Sequence, residues 1–200
     1  MFTGIFEPAF LQAASAHVEP IPPTPPEPDG IVIRTNAQGN INPIITCVGT
    51  ITVKSTYNCA PVEVQYTDID DEAVIINTDA DADVIITGKL TELATAPAFS
   101  GKLVSFRALN SQLQELTIGT QNNLTTLCLP TTLTSFSNAG LTGVTKIMYP
   151  ANNSSVSTAI KNAITNATAA DGEVYLDADG TYYSTIADAA TAKGWTIKQL

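Results

Sequence analysis

The sequence predicts a mainly β fold with some α structure: a small antiparallel β module, a short solenoid of repeats and a βα C-terminal cap. Short β-branched runs separated by Gly, Pro, Asn and Asp fill the region after residue 30. From Leu90 onwards, apolar residues recur at a spacing of about ten residues. After Pro150 the chain is rich in alanine, with apolar residues at helical spacing.

The composition predicts a folded chain. Of the 200 residues, 44% are hydrophobic and 14% are charged, which is enough to build a buried core. The 9 basic and 19 acidic residues give a net charge of -10. This charge repels phosphate backbones, so we expect no nucleic-acid partner. No uninterrupted apolar run approaches the ~20 residues of a spanning helix, so we expect no membrane segment.

Residues 1–18 are predicted to form an apolar anchoring arm, and residues 19–30 a proline-rich spacer. The segment EPIPPTPPEPDG favours extended polyproline II and a semi-rigid spacer. Residues 1–20 contain no Lys or Arg, so we expect no standard export signal in them. Either docking onto a partner or packing back on the chain's own domain is compatible with so apolar an arm. The candidate partner-binding residues are Phe2, Ile5, Phe6, Phe10 and Leu11.

Residues 31–88 are predicted to form the β module. The runs IVIRTN, PIITCVGTITVKST, PVEVQYTD, EAVIINT and DVIIT are β-branched and often alternate between apolar and polar residues. Short strands of this kind indicate a small antiparallel sheet or sandwich. Gly39 with Asn40, and Tyr57 with Asn58, are the expected turns.

Residues 89–150 are predicted to form a leucine-rich-repeat-like solenoid. The pattern is Leu-x-x-apolar-x-apolar, and matched starts recur about every twenty residues, at the short end of the leucine-rich range. The residues that fit the pattern are Leu103, Phe106, Ala108, Leu113, Leu116, Ile118, Leu124, Leu127, Leu129, Leu133, Phe136, Val144, Ile147 and Tyr149. Among them, Leu124, Leu127, Leu129, Leu133 and Phe136 are expected to point into the stack. Any binding surface of this region is expected on the exposed threonines Thr125, Thr126, Thr131, Thr132 and Thr134.

Three phrases add detail to the repeat. CLP at 128–130 and MYP at 148–150 each end a segment with Pro, and AFSGKLVSF at 98–106 precedes the first well-formed unit. These phrases resemble BspA-type leucine-rich repeats, which are common in surface proteins of Bacteroidota, over the range from Leu90 to Pro150. The chain departs from that family in its shortness and in lacking the repeated Cys after Ala-Phe. The resemblance implies a truncated, irregular solenoid with a role in display.

Residues 151–200 are predicted to form the βα cap. The segment SSVSTAIKNAITNATAA has apolar residues at helical spacing, with Ser154 or Ser155 as the expected N-cap. GEVYLD is predicted as a strand, STIADAATAK as a helix capped by Ser184 and stopped by Gly194, and WTIKQL as the last strand. This cap is expected to cover the open end of the solenoid.

The sequence predicts no catalytic, cofactor-binding or metal-binding residue. Cys47, Cys59 and Cys128 are odd in number and lack C-x-x-C spacing, which predicts reduced, mostly buried thiols. His17 is the only histidine and lies beside the spacer, which disfavours a Ser-His or Cys-His pair and a metal site of the N/S type.

The acidic run 68–83 has two interpretations. Asp79, Asp81 and Asp83 alternate and could direct three carboxylates to one side as calcium ligands. The EF-hand pattern fails, however, because Val84 stands where glycine is needed. We therefore favour a solvated acidic face.

This layout predicts a non-enzymatic structural or display protein. The first hypothesis is a virion component of a tailed bacteriophage infecting Bacteroidota, such as a head fibre or capsid-decorating protein. Its arm would bind other virion or assembly proteins, and its repeat region would face outward. The second hypothesis is a secreted or surface-attached bacterial binding module that holds a host-surface protein or glycan. We also expect a homo-oligomer, because short sheets need partners to bury their edges.

Overall fold

The computed structural model describes residues 29–95 and 101–200, which form strands and two helices. The helices are α1 (Ser154–Asn166) and α2 (Tyr183–Lys193). The strands are β1 (Ile31–Thr35), β2 (Gly39–Ile41), β3 (Ile44–Cys47), β4 (Thr50–Tyr57), β5 (Ala60–Thr67), β6 (Glu72–Ala73), β7 (Ile76–Thr78), β8 (Asp83–Thr87), β9 (Leu90–Ala94), β10 (Leu103–Arg107), β11 (Glu115–Ile118), β12 (Thr126–Cys128), β13 (Ser135–Asn138), β14 (Lys146–Tyr149), β15 (Glu173–Leu176) and β16 (Thr196–Gln199). The prediction of a mainly β fold with some α structure is confirmed.

Alternation of apolar and polar residues explains the early strands. In β4, Ile51 and Val53 are buried and Lys54 is exposed, which is the period-two pattern of a strand with one face on a core. The strand forms a hairpin with β5, and the turn residues Asn58 and Cys59 have φ angles of 53° and 61°. Two positive φ angles in a two-residue loop define a type I′ turn.

The predicted turns need correction. The turn expected at Tyr57 and Asn58 lies one residue later, because Tyr57 still pairs with Ala60. The turn expected at Gly39 and Asn40 is wrong, since both residues belong to β2, which pairs with β7.

The three cysteines have free thiols. Cys47 and Cys128 are buried, and Cys59 is exposed in the hairpin turn. The prediction of mostly buried, reduced thiols is therefore confirmed.

The described strands form two large mixed sheets and a small one. The nine-stranded sheet has the order β16-β15-β14-β12-β10-β1-β8-β4-β5, and the five-stranded sheet has the order β13-β11-β9-β3-β6. Strands β2 and β7 form the small sheet. Helix α1 packs against β13 and α2 packs against α1, so the helices continue the layer of the five-stranded sheet. One continuous hydrophobic core joins both large sheets and both helices.

The predicted solenoid, with a separate small β module before it, is wrong. Strand β10 pairs antiparallel with β1, and β9 pairs antiparallel with β3, so the early strands extend the sheets that hold the later ones. At the other end, β15 and β16 continue the nine-stranded sheet from β14 in parallel. Strands from elsewhere in the chain flank β10, β12 and β14 on both sides in the nine-stranded sheet, and β3 flanks β9 in the five-stranded sheet. The result is large mixed sheets in place of a free-standing stack.

The ten-residue spacing has a different origin in the structure. Successive segments alternate between the two large sheets, with β9, β11 and β13 in one and β10, β12 and β14 in the other. Each strand lies parallel to the preceding member of its own sheet. All the residues that fit the pattern, from Leu103 to Tyr149, are buried, including the five predicted to point into the stack. The spacing therefore predicted the core of this region correctly, although not its architecture.

Helix α1 begins after Asn153, which is its N-cap. The Asn153 side-chain oxygen accepts a hydrogen bond from the Val156 N–H at 3.2 Å, as expected for an asparagine at this position. The predicted caps, Ser154 and Ser155, lie inside the first turn of the helix. The choice among three candidate capping residues depends on where the preceding loop ends, which the local sequence does not specify.

Helix α2 and its neighbouring strands follow the sequence closely. The helix ends at Gly194 as predicted, and the φ of 84° at this residue is the left-handed conformation of a C-capping glycine. It begins at Tyr183, so Ser184 is not its cap. The segments GEVYLD and WTIKQL contain the predicted strands β15 and β16.

Within the described ranges, no helix is long and apolar enough to cross a membrane.

Candidate interaction surfaces

The chain enters the fold at an interior strand of the nine-stranded sheet. The predicted anchoring residues Phe2, Ile5, Phe6, Phe10 and Leu11, together with His17, lie outside the described residues. Strand β1 starts directly after Gly30 and pairs antiparallel with β8 on one side and β10 on the other. Ile31 and Ile33 are each 1% exposed. A Cβ at Gly30 would lie 2.3 Å from the Ile86 carbonyl oxygen, so the entry to β1 is closely packed.

Asp79, from the acidic run, holds the turn of the β4–β5 hairpin. Its Oδ2 accepts a hydrogen bond from the Cys59 N–H at 2.8 Å. Its Oδ1 accepts from the Asn58 N–H at 2.8 Å and from Gln38 Nε2 at 2.9 Å. These bonds, the one from Cys59 first, lower the pKa of the Asp79 carboxyl. The ionised carboxylate therefore stabilises a turn in which both residues have positive φ.

Asp83 binds arginine side chains on β1 and β10. Its Oδ1 accepts a hydrogen bond from Arg34 Nε at 2.8 Å, and its Oδ2 lies 3.6 Å from Arg107 Nη2. The hydrogen bond to Asp83 raises the pKa of the Arg34 guanidinium. Asp79 and Asp83 therefore bind different partners, whereas the calcium interpretation requires Asp79, Asp81 and Asp83 to share one site. In the part of the chain that the structure describes, no three Asp, Glu, His or Cys side chains are grouped closely enough to hold a metal ion.

The threonines predicted to carry a binding surface also connect successive segments. Thr125 Oγ1 donates to the Val104 carbonyl oxygen at 3.2 Å, and Thr132 Oγ1 donates to the Leu113 carbonyl oxygen at 2.7 Å. In both cases the acceptor belongs to the preceding segment of the same layer, about twenty residues earlier. All the predicted threonines reach the surface, with Thr126 half-buried and Thr125, Thr131, Thr132 and Thr134 exposed.

The outer face of the nine-stranded sheet carries a charged cluster that the sequence did not indicate. Glu173 accepts hydrogen bonds from Lys198 Nζ and, at 2.9 Å, from the Tyr175 hydroxyl. The Nζ atoms of Lys146 and Lys198 lie 4.9 and 5.3 Å from the centre of the Tyr175 ring, within cation–π range. The bond from Lys198 lowers the pKa of Glu173 and raises that of Lys198. The four residues come from three different strands, so no local pattern could have revealed them.

Strand β5 is an exposed edge of the nine-stranded sheet. It has eight residues and pairs with β4 along its whole length, and none of these residues is fully buried. Among the described strands, none pairs with its other side. Val64 is 38% exposed on the face that continues the core, and nearby Ile75 is 59% exposed. Tyr66 lies on the same face of β5 as Val64, and its hydroxyl donates a hydrogen bond to the Ile75 carbonyl oxygen at 2.8 Å.

The sequence predicted where β5 lies in the chain but not where it lies in the sheet. The run PVEVQYTD was predicted as a strand, and Pro61 at its start is compatible with an edge. Whether a strand lies at an edge depends on the order of all the strands, which the run alone does not contain.

No protein-family model matches this chain, and neither a curated protein nor a solved structure matches it. The resemblance of the region from Leu90 to Pro150 to BspA-type repeats stays a prediction from the sequence.

Proposed function

We propose that this chain is a non-enzymatic structural protein of a tailed bacteriophage particle, a head fibre or capsid-decorating protein. Residues 1–18 attach it to another virion protein, and residues 89–150 face outward. The observation that carries the proposal is the position of β1, which follows the predicted arm and spacer in the chain and is an interior strand of the largest sheet.

This position suits a protein that is held by its N-terminal segment. A pull on Gly30 acts along β1, which is hydrogen-bonded to a neighbour on each side. The load is then shared by all the hydrogen bonds of the strand at once, because they lie roughly perpendicular to the pull. The buried side chains of Ile31 and Ile33 add resistance, since both must leave the core before the strand can slide.

The outward role rests on the surface of the same sheets. Hydrogen bonds from Thr125 and Thr132 connect successive segments. The exposed side chains of residues 110–137 are polar and, apart from Glu115, uncharged. A layered β scaffold with one continuous core offers a stable surface for display.

Incorporation into particles tests the proposal. The genes beside the coding sequence identify the phage, and its particles are purified and analysed by quantitative mass spectrometry. We expect the full-length chain in a fixed ratio to the capsid protein. We also expect a variant with Phe6→Asp and Phe10→Asp to be lost from particles, because charges prevent an apolar arm from docking. The matched control is Thr3→Asp with Gln12→Asp, which adds the same charge at polar positions of the arm.

Two results would contradict the proposal. One is incorporation of the Phe6→Asp and Phe10→Asp variant at the level of the control. The other is a full-length chain that is missing from particles and found on or outside bacterial cells, which is the outcome expected for a surface-attached or secreted binding module.

A further inference from the structure

The hairpin geometry determines which main-chain groups of β5 face outward. In a two-residue hairpin, the residues that flank the turn form a hydrogen-bonded pair, and such pairs then alternate along the strands. Tyr57 and Ala60 flank this turn. At the far end, the Asp68 N–H donates to the Gly49 carbonyl oxygen at 3.1 Å, in the same alternation. Residues at even positions of β5 therefore bond to β4, and the residues between them direct their N–H and C=O groups away from the sheet.

The outward groups of β5 form a nearly complete hydrogen-bonding edge. Glu63, Gln65 and Thr67 each present an N–H and a C=O, and Pro61 presents only a C=O. Proteins usually protect such an edge with a short strand, a bulge, proline or charged side chains, lysine above all. The edge strand at the other end of the sheet, β16, is four residues long and carries Lys198. In contrast, β5 has eight residues, no lysine and an uninterrupted register with β4; its proline, Pro61, lies near one end, and the charge of Glu63 is paired with Lys54.

We propose that β5 pairs antiparallel with β5 of a second copy of this chain, about a two-fold axis at Val64, and so joins two nine-stranded sheets. In this register Glu63 lies opposite Gln65 of the second copy, and Pro61 lies opposite Thr67. Every outward N–H then finds a carbonyl acceptor. Because Pro61 has no N–H, the carbonyl oxygen of Thr67 opposite it has no donor across the interface. This pair lies at the end of the ladder, so each copy has only one such carbonyl.

The side chains favour the same register. On the core face, Val64 meets its own copy, and Val62 lies opposite Tyr66 of the second copy, so that the exposed apolar strips of the two chains become continuous. On the other face, Glu63 lies opposite a neutral glutamine. Its charge is also balanced within its own chain, because Lys54 Nζ lies 3.3 Å from Glu63 Oε2.

Other registers fit less well. An axis at Glu63 sets two carboxylates directly opposite each other, which is unfavourable. An axis at Gln65 places Val62 opposite Asp68 and so interrupts the apolar strip. An edge that is self-complementary in hydrogen bonds, charge and apolar contacts favours a second copy over an unrelated strand. This proposal does not depend on the proposed role in a phage particle.

The first test is the molecular mass of the full chain in solution, from sedimentation velocity over a concentration series. We expect a concentration-dependent dimer. Gln65→Pro removes an outward N–H without removing a bond to β4, as Pro61 already does elsewhere on the strand. It should raise the dissociation constant by about 30-fold or more, because one hydrogen bond of each copy is lost. Gln199→Pro, on the other edge strand, is the matched control and should leave the dimer unchanged. The N–H groups of Thr196 and Leu200 donate to Gly172 and Leu176, so the alternation along β16 directs the Gln199 N–H away from the sheet.

The second test fixes the register. A pair at the axis is not hydrogen-bonded across the interface, so its Cα atoms lie about 4.5 Å apart, within reach of a disulfide. Val64→Cys, made together with Cys59→Ser to remove the exposed thiol, should form a covalent dimer under mild oxidation. Thr67→Cys in the same background should not, because the two copies of this position are separated by about 20 Å.

Each alternative outcome overturns the proposal. A monomer at every concentration would show that β5 does not self-associate. A dimer unaffected by Gln65→Pro, or cross-linked through Thr67→Cys but not Val64→Cys, would place the interface or register elsewhere. If the full chain is a monomer but removal of residues 1–28 produces the dimer, the occupant of this edge is the chain's own N-terminal segment.

Discussion

Gly172 lies against the indole ring of Trp195, and Gly172→Ala tests how tightly the helical end of the fold is packed. Gly172 is buried just before β15. An added Cβ would lie 2.3 Å from Trp195 Cε2 and 2.4 Å from Cδ2. The ring cannot remain in place, because carbon atoms in contact stay about 3.5–4.0 Å apart. Trp195 is only 4% exposed and its Nε1 donates to the Ala169 carbonyl oxygen at 3.1 Å, so a shift of the ring also weakens this bond.

The expected cost follows from these two effects. Overpacking a closely packed site costs about 1–3 kcal/mol, and loss of the hydrogen bond adds about 1 kcal/mol. The lower backbone entropy of alanine in the unfolded chain offsets up to about 1 kcal/mol. We therefore expect Gly172→Ala to lower the free energy of unfolding by about 1–4 kcal/mol, and Tm by several degrees.

Urea unfolding followed by tryptophan fluorescence measures both effects, because Trp195 is the only tryptophan of the chain. The emission of the folded variant should shift towards that of a more exposed indole. Gly119→Ala is the matched control, since its Cβ would lie 3.5 Å from Thr95 Oγ1, an ordinary contact. In a Trp195→Leu background, followed by circular dichroism, the cost of Gly172→Ala should fall because the ring is gone. Unchanged stability and emission in Gly172→Ala would refute the reasoning.

Two further predictions concern caps and turns. Asn153→Ala should lower the free energy of unfolding by about 1 kcal/mol, because α1 loses its side-chain cap. Ser154→Ala should cost less, and equal costs in thermal or urea unfolding would contradict the assignment of the cap. Asp79→Asn should destabilise the fold at neutral pH, because the pKa of Asp79 is lowered in the folded state and the ionised group therefore stabilises it. This contribution is full above the unfolded pKa of about 4 and is lost as the pH falls through the folded value. Urea unfolding from pH 7 downwards should show the two proteins converging in acid, and a constant difference would contradict the role of the carboxylate.

The sequence predicted which residues are buried, because the buried apolar residues recur at short, regular spacings along the chain. Leu127 and Phe136 belong to a regular spacing of apolar residues, and both are in the core. Gly194 was recognised as a helix stop because glycine has little penalty in the left-handed conformation. Each of these inferences needs only a few neighbouring residues.

The arrangement of the sheets was not predictable in the same way. Val32 pairs with Arg107, and nothing in either segment indicates the other, because backbone hydrogen bonds are the same for every residue except proline. The solenoid interpretation assumed that the strands after Leu90 pair only among themselves. The candidate interaction surfaces have the same origin: the cluster around Tyr175 and the edge at Gln65 both depend on which strands become neighbours.

The alternation of segments between two sheets also constrains how the chain can change in length. Insertion of ten residues near Pro130 would send every later strand to the opposite sheet, and so would break the pairing of β13 with β11 and of β14 with β12. Insertion of about twenty would add one strand to each sheet and leave every later pairing intact. Each such addition would move the helices about 4.8 Å further from β1. Variation in the length of this region, where it is tolerated at all, should therefore come in steps of two segments.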